Sequence, residues 1–260
     1  MTKFSSFLFV LLMTLASFTA NAQEHPRGDA NLDGAVNITD ATSLINYLLN
    51  GSWPDEPVTP PAQHEFVDLG LTSGTLWATC NVGATSPEEY GDYFAWGETS
   101  PKSAYSIANY KWCKGSYVTL TKYCAQSGFG YNGFTDGKAF LDLEDDAAYV
   151  NWGPLWRIPY PNELNELLTQ CSWSWTTLNG VNGCQGNGPN GNTIFLPAAG
   201  YRRSNSLNAA GEAGEYWSNT ITATYSTYAY YMLVGKSRRD VADSFRDTGL
   251  TVRAVRVSED

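Results

Sequence analysis

Histidine is nearly missing from this chain of 260 residues: there are two, His25 and His64, and none beyond residue 64. Residues 65–260 therefore lack the imidazole of a Ser-His-Asp or Cys-His site, and the histidine ligand that a catalytic zinc usually takes. Paired cysteine motifs are missing too. Cys80, Cys113, Cys124, Cys171 and Cys184 form no CxxC, so a zinc or redox motif is not indicated. The odd count leaves at least one thiol unpaired within a monomer, and disulfides or small buried thiols both fit the rest. Basic residues are few, 16 Lys and Arg against 26 Asp and Glu, for a formal net charge of -10. Phosphate backbones need clustered Lys and Arg, so nucleic acid is not an expected partner. After the first 22 residues no apolar run is long enough to cross a membrane, and no membrane insertion is expected.

The start of the chain has the pattern of an export signal over residues 1–22. Lys3 supplies the positive end, Leu8-Phe9-Val10-Leu11-Leu12 the apolar centre, and Ala20-Asn21-Ala22 the small-x-small cleavage site, leaving Gln23 as the mature N-terminus. Loss of Lys3 takes the charge from -10 to -11. No cysteine follows the apolar run to take a lipid. The expected location is secreted, at the cell surface or periplasmic. Residues 23–51 form a short module. Residues 52–64 hold four prolines and no apolar periodicity, the composition of an extended linker. Residues 65–260 are long enough for one domain with its own core.

Asp29-Ala30-Asn31-Leu32-Asp33-Gly34-Ala35-Val36-Asn37-Ile38-Thr39-Asp40 is a loop of oxygen ligands. Ca²⁺ takes six to eight oxygens. Asp29, Asn31 and Asp33 alternate so that their side chains converge, and Gly34 permits the sharp turn. Ala35 offers its carbonyl, Asn37 binds directly or through water, and Asp40 closes the site. Leu44, Tyr47, Leu48 and Leu49 then mark a helix over 41–49 with one apolar face. The loop resembles an EF-hand that ends in Asp rather than Glu. With Val36-Asn37 and the Leu-x-x-Tyr-Leu-Leu helix it resembles one repeat of a type I dockerin over residues 28–50. The resemblance implies Ca²⁺ as cofactor and a cohesin as partner, with the recognition face at Ile38, Thr39, Ile45 and Asn46. Dockerins usually carry two repeats, and one is visible here.

Beyond the linker, short apolar runs alternate with Gly, Asn, Ser and Thr. Strands are expected at Phe66–Leu69, Gly74–Thr79, Thr193–Pro197 and Tyr228–Val234. Leu250–Val257 alternates and is expected to be a terminal strand with one wet face. Helices are expected over Leu143–Asn151, which starts with three acids, and over Asn162–Leu168, after Pro159 and Pro161. Asn179–Asn192 has five Gly and five Asn, a composition that reads as a long surface loop. The sum is an α+β domain with few helices and many loops.

Several motifs carry a second resemblance. They are Val67-Asp68-Leu69-Gly70-Leu71, Ser73–Ala84, Tyr93-Phe94-Ala95-Trp96-Gly97-Glu98, Trp156-Arg157-Ile158-Pro159, Phe195–Arg202 and Val252-Arg253-Ala254-Val255-Arg256. Together they resemble the Fibrobacter succinogenes major paralogous domain over nearly all of 65–260. The resemblance implies a C-type-lectin-like fold, related to that of formylglycine-generating enzymes. Those enzymes hold copper with a cysteine pair near the C-terminus, and no cysteine follows Cys184. Sugar-binding C-type lectins place Glu-Pro-Asn-like and Trp-Asn-Asp-like segments around Ca²⁺. Here the corresponding segments are Gly188-Pro189-Asn190 and Trp217-Ser218-Asn219, without the carboxylates.

Eight of nine tryptophans and fifteen of sixteen tyrosines fall in this domain. Aromatic faces stack on sugar rings and anchor protein interfaces. Trp112, Trp173, Trp175 and Tyr225-Tyr228-Tyr230-Tyr231 are the candidates for exposure. A ligand surface is expected from Asn187, Asn190, Asn192, Trp173, Trp175, Trp217 and Asn219. The expected function is an exported, non-catalytic binding or adhesion protein for a glycan or surface-protein ligand. The alternative is an accessory glycoside hydrolase delivered by the dockerin repeat, since glycosidases need two carboxylates and no histidine. Its acids would come from Glu98, Asp136, Glu163, Glu166, Glu212 and Glu215.

Overall fold

Ala41, Leu44 and residues 64–257 are described by the structure, a computed structural model. The chain divides into two units, residues 1–63 and 64–260. In the first, Ala41 and Leu44 are both helical. The expected signal segment, calcium loop and linker up to Gln63 lie outside the described residues.

In the second unit the apolar runs become short strands and the Gly and Asn clusters become turns. Strands β1 (Phe66–Asp68), β2 (Leu76–Ala78), β3 (Trp156–Arg157) and β12 (Val255–Arg256) form one sheet in the order β1-β2-β12-β3, every pair antiparallel. Strands β4 (Ser172–Leu178), β5 (Val181–Asn187) and β6 (Thr193–Pro197) make a three-stranded meander. So do β9 (Ala213–Ile221), β10 (Tyr228–Gly235) and β11 (Arg239–Phe245), while β7 (Tyr201–Arg203) and β8 (Ser206–Asn208) form a hairpin. Two α-helices, α1 (Ala147–Trp152) and α2 (Pro161–Gln170), complete a mostly β unit with few helices and many turns.

Each helix starts where its sequence supplies acceptors. Asp146 caps α1, accepting from the N–H groups of Ala148 (2.9 Å) and Tyr149 (3.1 Å), and also from that of Ile158 (2.8 Å). In α2, Pro161 occupies the first turn, where a missing N–H leaves no bond unmade, and Glu163 accepts the Tyr160 N–H at 2.7 Å. Leu164 and Leu167 then point into a core shared with Trp77, Tyr216, Met232 and Val255. A second core gathers Trp96, Trp152, Trp156, Trp217, Tyr123 and Val252. His64 closes the entrance to the unit by stacking on Trp152, with ring centroids 3.8 Å apart.

Two expectations need correction. The terminal segment has no wet face as far as Val255: Thr251 and Arg253 are as buried as Leu250 and Val252, all at 0% exposure, and only Arg256 and Val257 reach the surface. The cause is topology. The last strand lies between β2 and β3, and Leu250 and Thr251 bridge to Phe94 and Tyr216. Arg253 is held inside by the oxygens of Asn81, Ala78 and Thr79. The Gly/Asn-rich segment is likewise no long loop, because Val181–Asn187 is the central strand of its sheet. Its glycines make room for rings from the flanking strands. A Cβ on Gly183 would meet the Phe195 ring at 2.5 Å, and one on Gly186 would meet Trp173 at 2.8 Å. Only the turn at Asn179-Gly180 and the tip, Gly188–Asn192, are irregular. All five cysteines are free and buried.

Candidate functional site

The calcium ligands Asp29, Asn31, Asp33, Ala35, Asn37 and Asp40 lie outside the described residues, as do Ile38, Thr39, Ile45 and Asn46. The donor set is all oxygen, with three carboxylates, two amides and one carbonyl in a twelve-residue span, and it fits a hard divalent cation. Among the described residues, one acidic group has metal-holding spacing: Asp142, Glu144 and Asp145. Lysine already neutralises it. Lys122 Nζ lies 2.6 Å from Asp142 and 2.7 Å from Asp145, over the ring of Trp112, and Lys138 reaches Asp142.

The expected ligand surface is divided by the fold. The side-chain amides of Asn190 and Asn192 both donate to the carbonyl of Asp68, at 2.9 and 2.7 Å, and Asn187 donates to Ser172 at 3.4 Å. The amides of Asn190 and Asn192 stitch the hairpin tip to β1. Trp173 and Trp175 are half-buried on β4; Trp173 lies over Gly186 and donates to Leu168 at 3.1 Å. Trp217 belongs to the core, 1% exposed, with its indole N–H on Phe94 at 2.7 Å. Asn219 is also buried, and its side-chain oxygen accepts from Thr220.

A different surface collects aromatic rings. At the open end of the β10–β11 pair, Tyr228 and Phe245 stand directly opposite each other with centroids 4.3 Å apart. Tyr117 leans on Phe245 at 4.7 Å, Tyr225 lies 6.1 Å from Tyr228, and Phe129 lies 6.0 Å from Tyr225. The Arg203 guanidinium sits 5.8 Å over Phe245. Tyr225 is 53% exposed and Val118, beside Tyr117, is 56% exposed. The inner rings are half-buried against one another, and Tyr225 is the exposed member of the group. The hydroxyls of Tyr225 and Tyr228 have no hydrogen-bond partner among the described residues. The Tyr117 hydroxyl donates to Asp247 at 3.1 Å, and burial next to that carboxylate pushes it up to about 12. Tyr225 and Tyr228 were legible as candidates in the sequence. Tyr117, Phe129, Phe245 and Arg203 were not, because cross-strand register and loop packing bring them together from four separate segments.

The acids also sort themselves. Glu163 pairs with Arg157 through two bonds of 2.6 and 2.7 Å. Asp136 accepts from the N–H groups of Tyr123 and Cys124, Glu166 from that of Ser73, and Glu98 from Lys102 and the N–H of Lys111. All four hold the chain together. Glu212 is exposed. The Glu215 carboxyl on β9 has no hydrogen-bond or ion-pair partner among the described residues, and burial pushes it up to about 7.

No helix among the described residues is long and apolar enough to cross a membrane. No curated protein and no solved structure matches the chain. Residues 27–69 match the dockerin type I domain. Type I dockerin domains bind calcium through EF-hand-like repeats, bind cohesins, and occur in secreted, cell-surface cellulosomal proteins. The chain thus carries a dockerin type I domain at residues 27–69.

Proposed function

We propose that residues 64–260 form a non-catalytic, C-type-lectin-like binding module for a glycan, carried to a cohesin-bearing, cell-surface assembly by the dockerin domain. The supporting observation is the aromatic cluster of Tyr117, Phe129, Tyr225, Tyr228 and Phe245, with two unpaired tyrosyl hydroxyls and a flanking guanidinium. A sugar needs this combination: an apolar face for its C–H groups and polar edges for its hydroxyls. The sequence motifs that resemble the Fibrobacter succinogenes major paralogous domain support the fold assignment, as does a mostly β unit with few helices. A glycan array tests the reading. Tyr225→Ala with Tyr228→Ala should abolish whatever binding the wild type gives, with the melting temperature little changed. Binding that survives the double substitution would refute this surface.

A hydrolase reading has one specific support. Leu233 stands opposite Glu215 on one side and Asp240 on the other, so these two acids share a row two strand spacings wide. That is about 9–10 Å between backbones, close to the carboxyl separation of roughly 6.5–9.5 Å in inverting glycosidases. A protonated Glu215 would be the acid and Asp240 the base. Release of reducing sugar that disappears in Glu215→Gln would favour this reading over the first.

A further inference from the structure

Arg202 and Arg203 are neighbours on β7, and alternation sends them to opposite sides. Arg203 goes to the aromatic cluster. Arg202 goes to a separate open cleft of about 470 Å³ lined by Gly91, Asp92, Tyr93, Pro101, Lys102, Ser103 and Tyr105. This volume lies within the range of small-ligand sites, ~300–1,000 Å³. The Arg202 guanidinium lies 4.9 Å over the Tyr93 ring and makes no hydrogen bond or ion pair among the described residues. The guanidinium is uncommitted, but its setting is rigid. The Arg202 backbone exchanges two bonds with Gly249, at 2.7 and 2.9 Å. Gly249 packs against the Tyr105 ring so closely that a Cβ there would meet it at 2.6 Å. Tyr93 and Tyr105 are pinned in turn by hydroxyls that donate to the carbonyls of Ala199 and Tyr93.

The other charges around the cleft are largely spent. The Lys102 ammonium pairs with Glu98 at 2.8 Å and also donates to the carbonyl of Asn109. Asp92 remains in the lining as an acceptor, and the Ser103 hydroxyl is unpartnered among the described residues. A pre-positioned guanidinium fork with no partner suits a planar or tetrahedral oxyanion, which it can hold through two parallel N–H bonds. Asp92 and Ser103 suit hydroxyls. We propose that this cleft takes the anionic group of an acidic sugar, a carboxylate or a sulfate ester, with Arg202 as its direct ligand. The proposal rests on the glycan reading above and narrows the ligand to a charged saccharide.

Titration calorimetry on the full chain tests it, using hexagalacturonate, its methyl ester, a sulfated galactan hexamer, cellohexaose and poly-L-glutamate. An acidic hexamer should bind about ten-fold or more tighter than the ester or the neutral hexamer, a gap of ~1.4 kcal/mol. Preference for galacturonate or for the sulfated galactan identifies the group. Arg202→Gln should remove the gap while leaving neutral binding unchanged, and Arg202→Lys should restore part of it. If the substitutions unfold the chain, the salt dependence of the wild type decides. Affinity for the acidic hexamer should fall as salt rises while that for the neutral one stays level. Equal affinity for acid and ester, or indifference to Arg202→Gln, would overturn the proposal and leave the aromatic-cluster reading standing. Poly-L-glutamate binding as tightly as galacturonate would overturn the sugar assignment. Failure of every saccharide to bind would overturn both readings.

Discussion

Burial pushes the Glu215 carboxyl up to about 7, so the folded chain keeps a proton that the unfolded chain gives up near pH ~4.3. The stability tied to this group is complete below about pH 4.3 and is lost as the pH rises through about 7. Glu215→Gln should therefore melt higher than the wild type at about pH 8 and like it at about pH 4. After discounting for partial exposure the gain at the higher pH is about 1–2 kcal/mol. Thermal melts at the two pH values check this, and a variant no more stable at the higher one contradicts it. Asp146 differs in kind. Burial pushes it up to about 6, against three backbone N–H donors that favour the charged form. Asp146→Ala leaves all three donors without an acceptor. It should cost roughly 2–4 kcal/mol in chemical denaturation, from a lost cap and unsatisfied buried groups.

At the scale of the element, β5 shows what the sequence conceals. Apolar runs such as Thr193-Ile194-Phe195-Leu196-Pro197 are legible because their own side chains fill the core, and helix α2 is legible from Pro161 and the spacing of Leu164 and Leu167. Strand β5 reads as a loop because its packing is supplied from next door. Trp173 and Phe195 lie over Gly186 and Gly183, and a glycine says nothing about the ring above it. Gly186→Ala should cost about 1–3 kcal/mol, since the Trp173 ring must shift, and Trp173→Leu should relieve part of that cost. A double-mutant cycle on melting data would show the coupling, and additive effects would refute it. The aromatic cluster was half visible for a related reason: Tyr225 and Tyr228 are close in sequence, but Phe245 joins them only through the β10–β11 register. Arg253 misled in the opposite direction. Alternation marked it as exposed, but the oxygens of Asn81, Ala78 and Thr79 hold it inside.

At the scale of the molecule, five buried free thiols mean that residues 64–257 hold together without a covalent staple. The melting temperature should be the same with and without reductant, and a thiol reagent should label the chain only after denaturant is added. Burial pushes the Cys171 thiol up to about 11, which reinforces its inertness. The dockerin domain gives a separate test. Calcium titrated into the intact chain should release heat that Asp33→Ala removes, and a silent wild type would refute binding at the Asp29–Asp40 loop. The β1-β2-β12-β3 sheet has a last consequence, in time rather than in space. Its second strand comes from near the start of the unit, while the partner that fills its open edge, Val255–Arg256, comes from the other end of the unit's sequence. Loop closure over so long a stretch is slow. Until then β2 lacks its neighbour and Trp77 its cover. Trp77 should therefore gain its buried environment late in refolding, when the two ends of the unit meet, and its fluorescence would report that step.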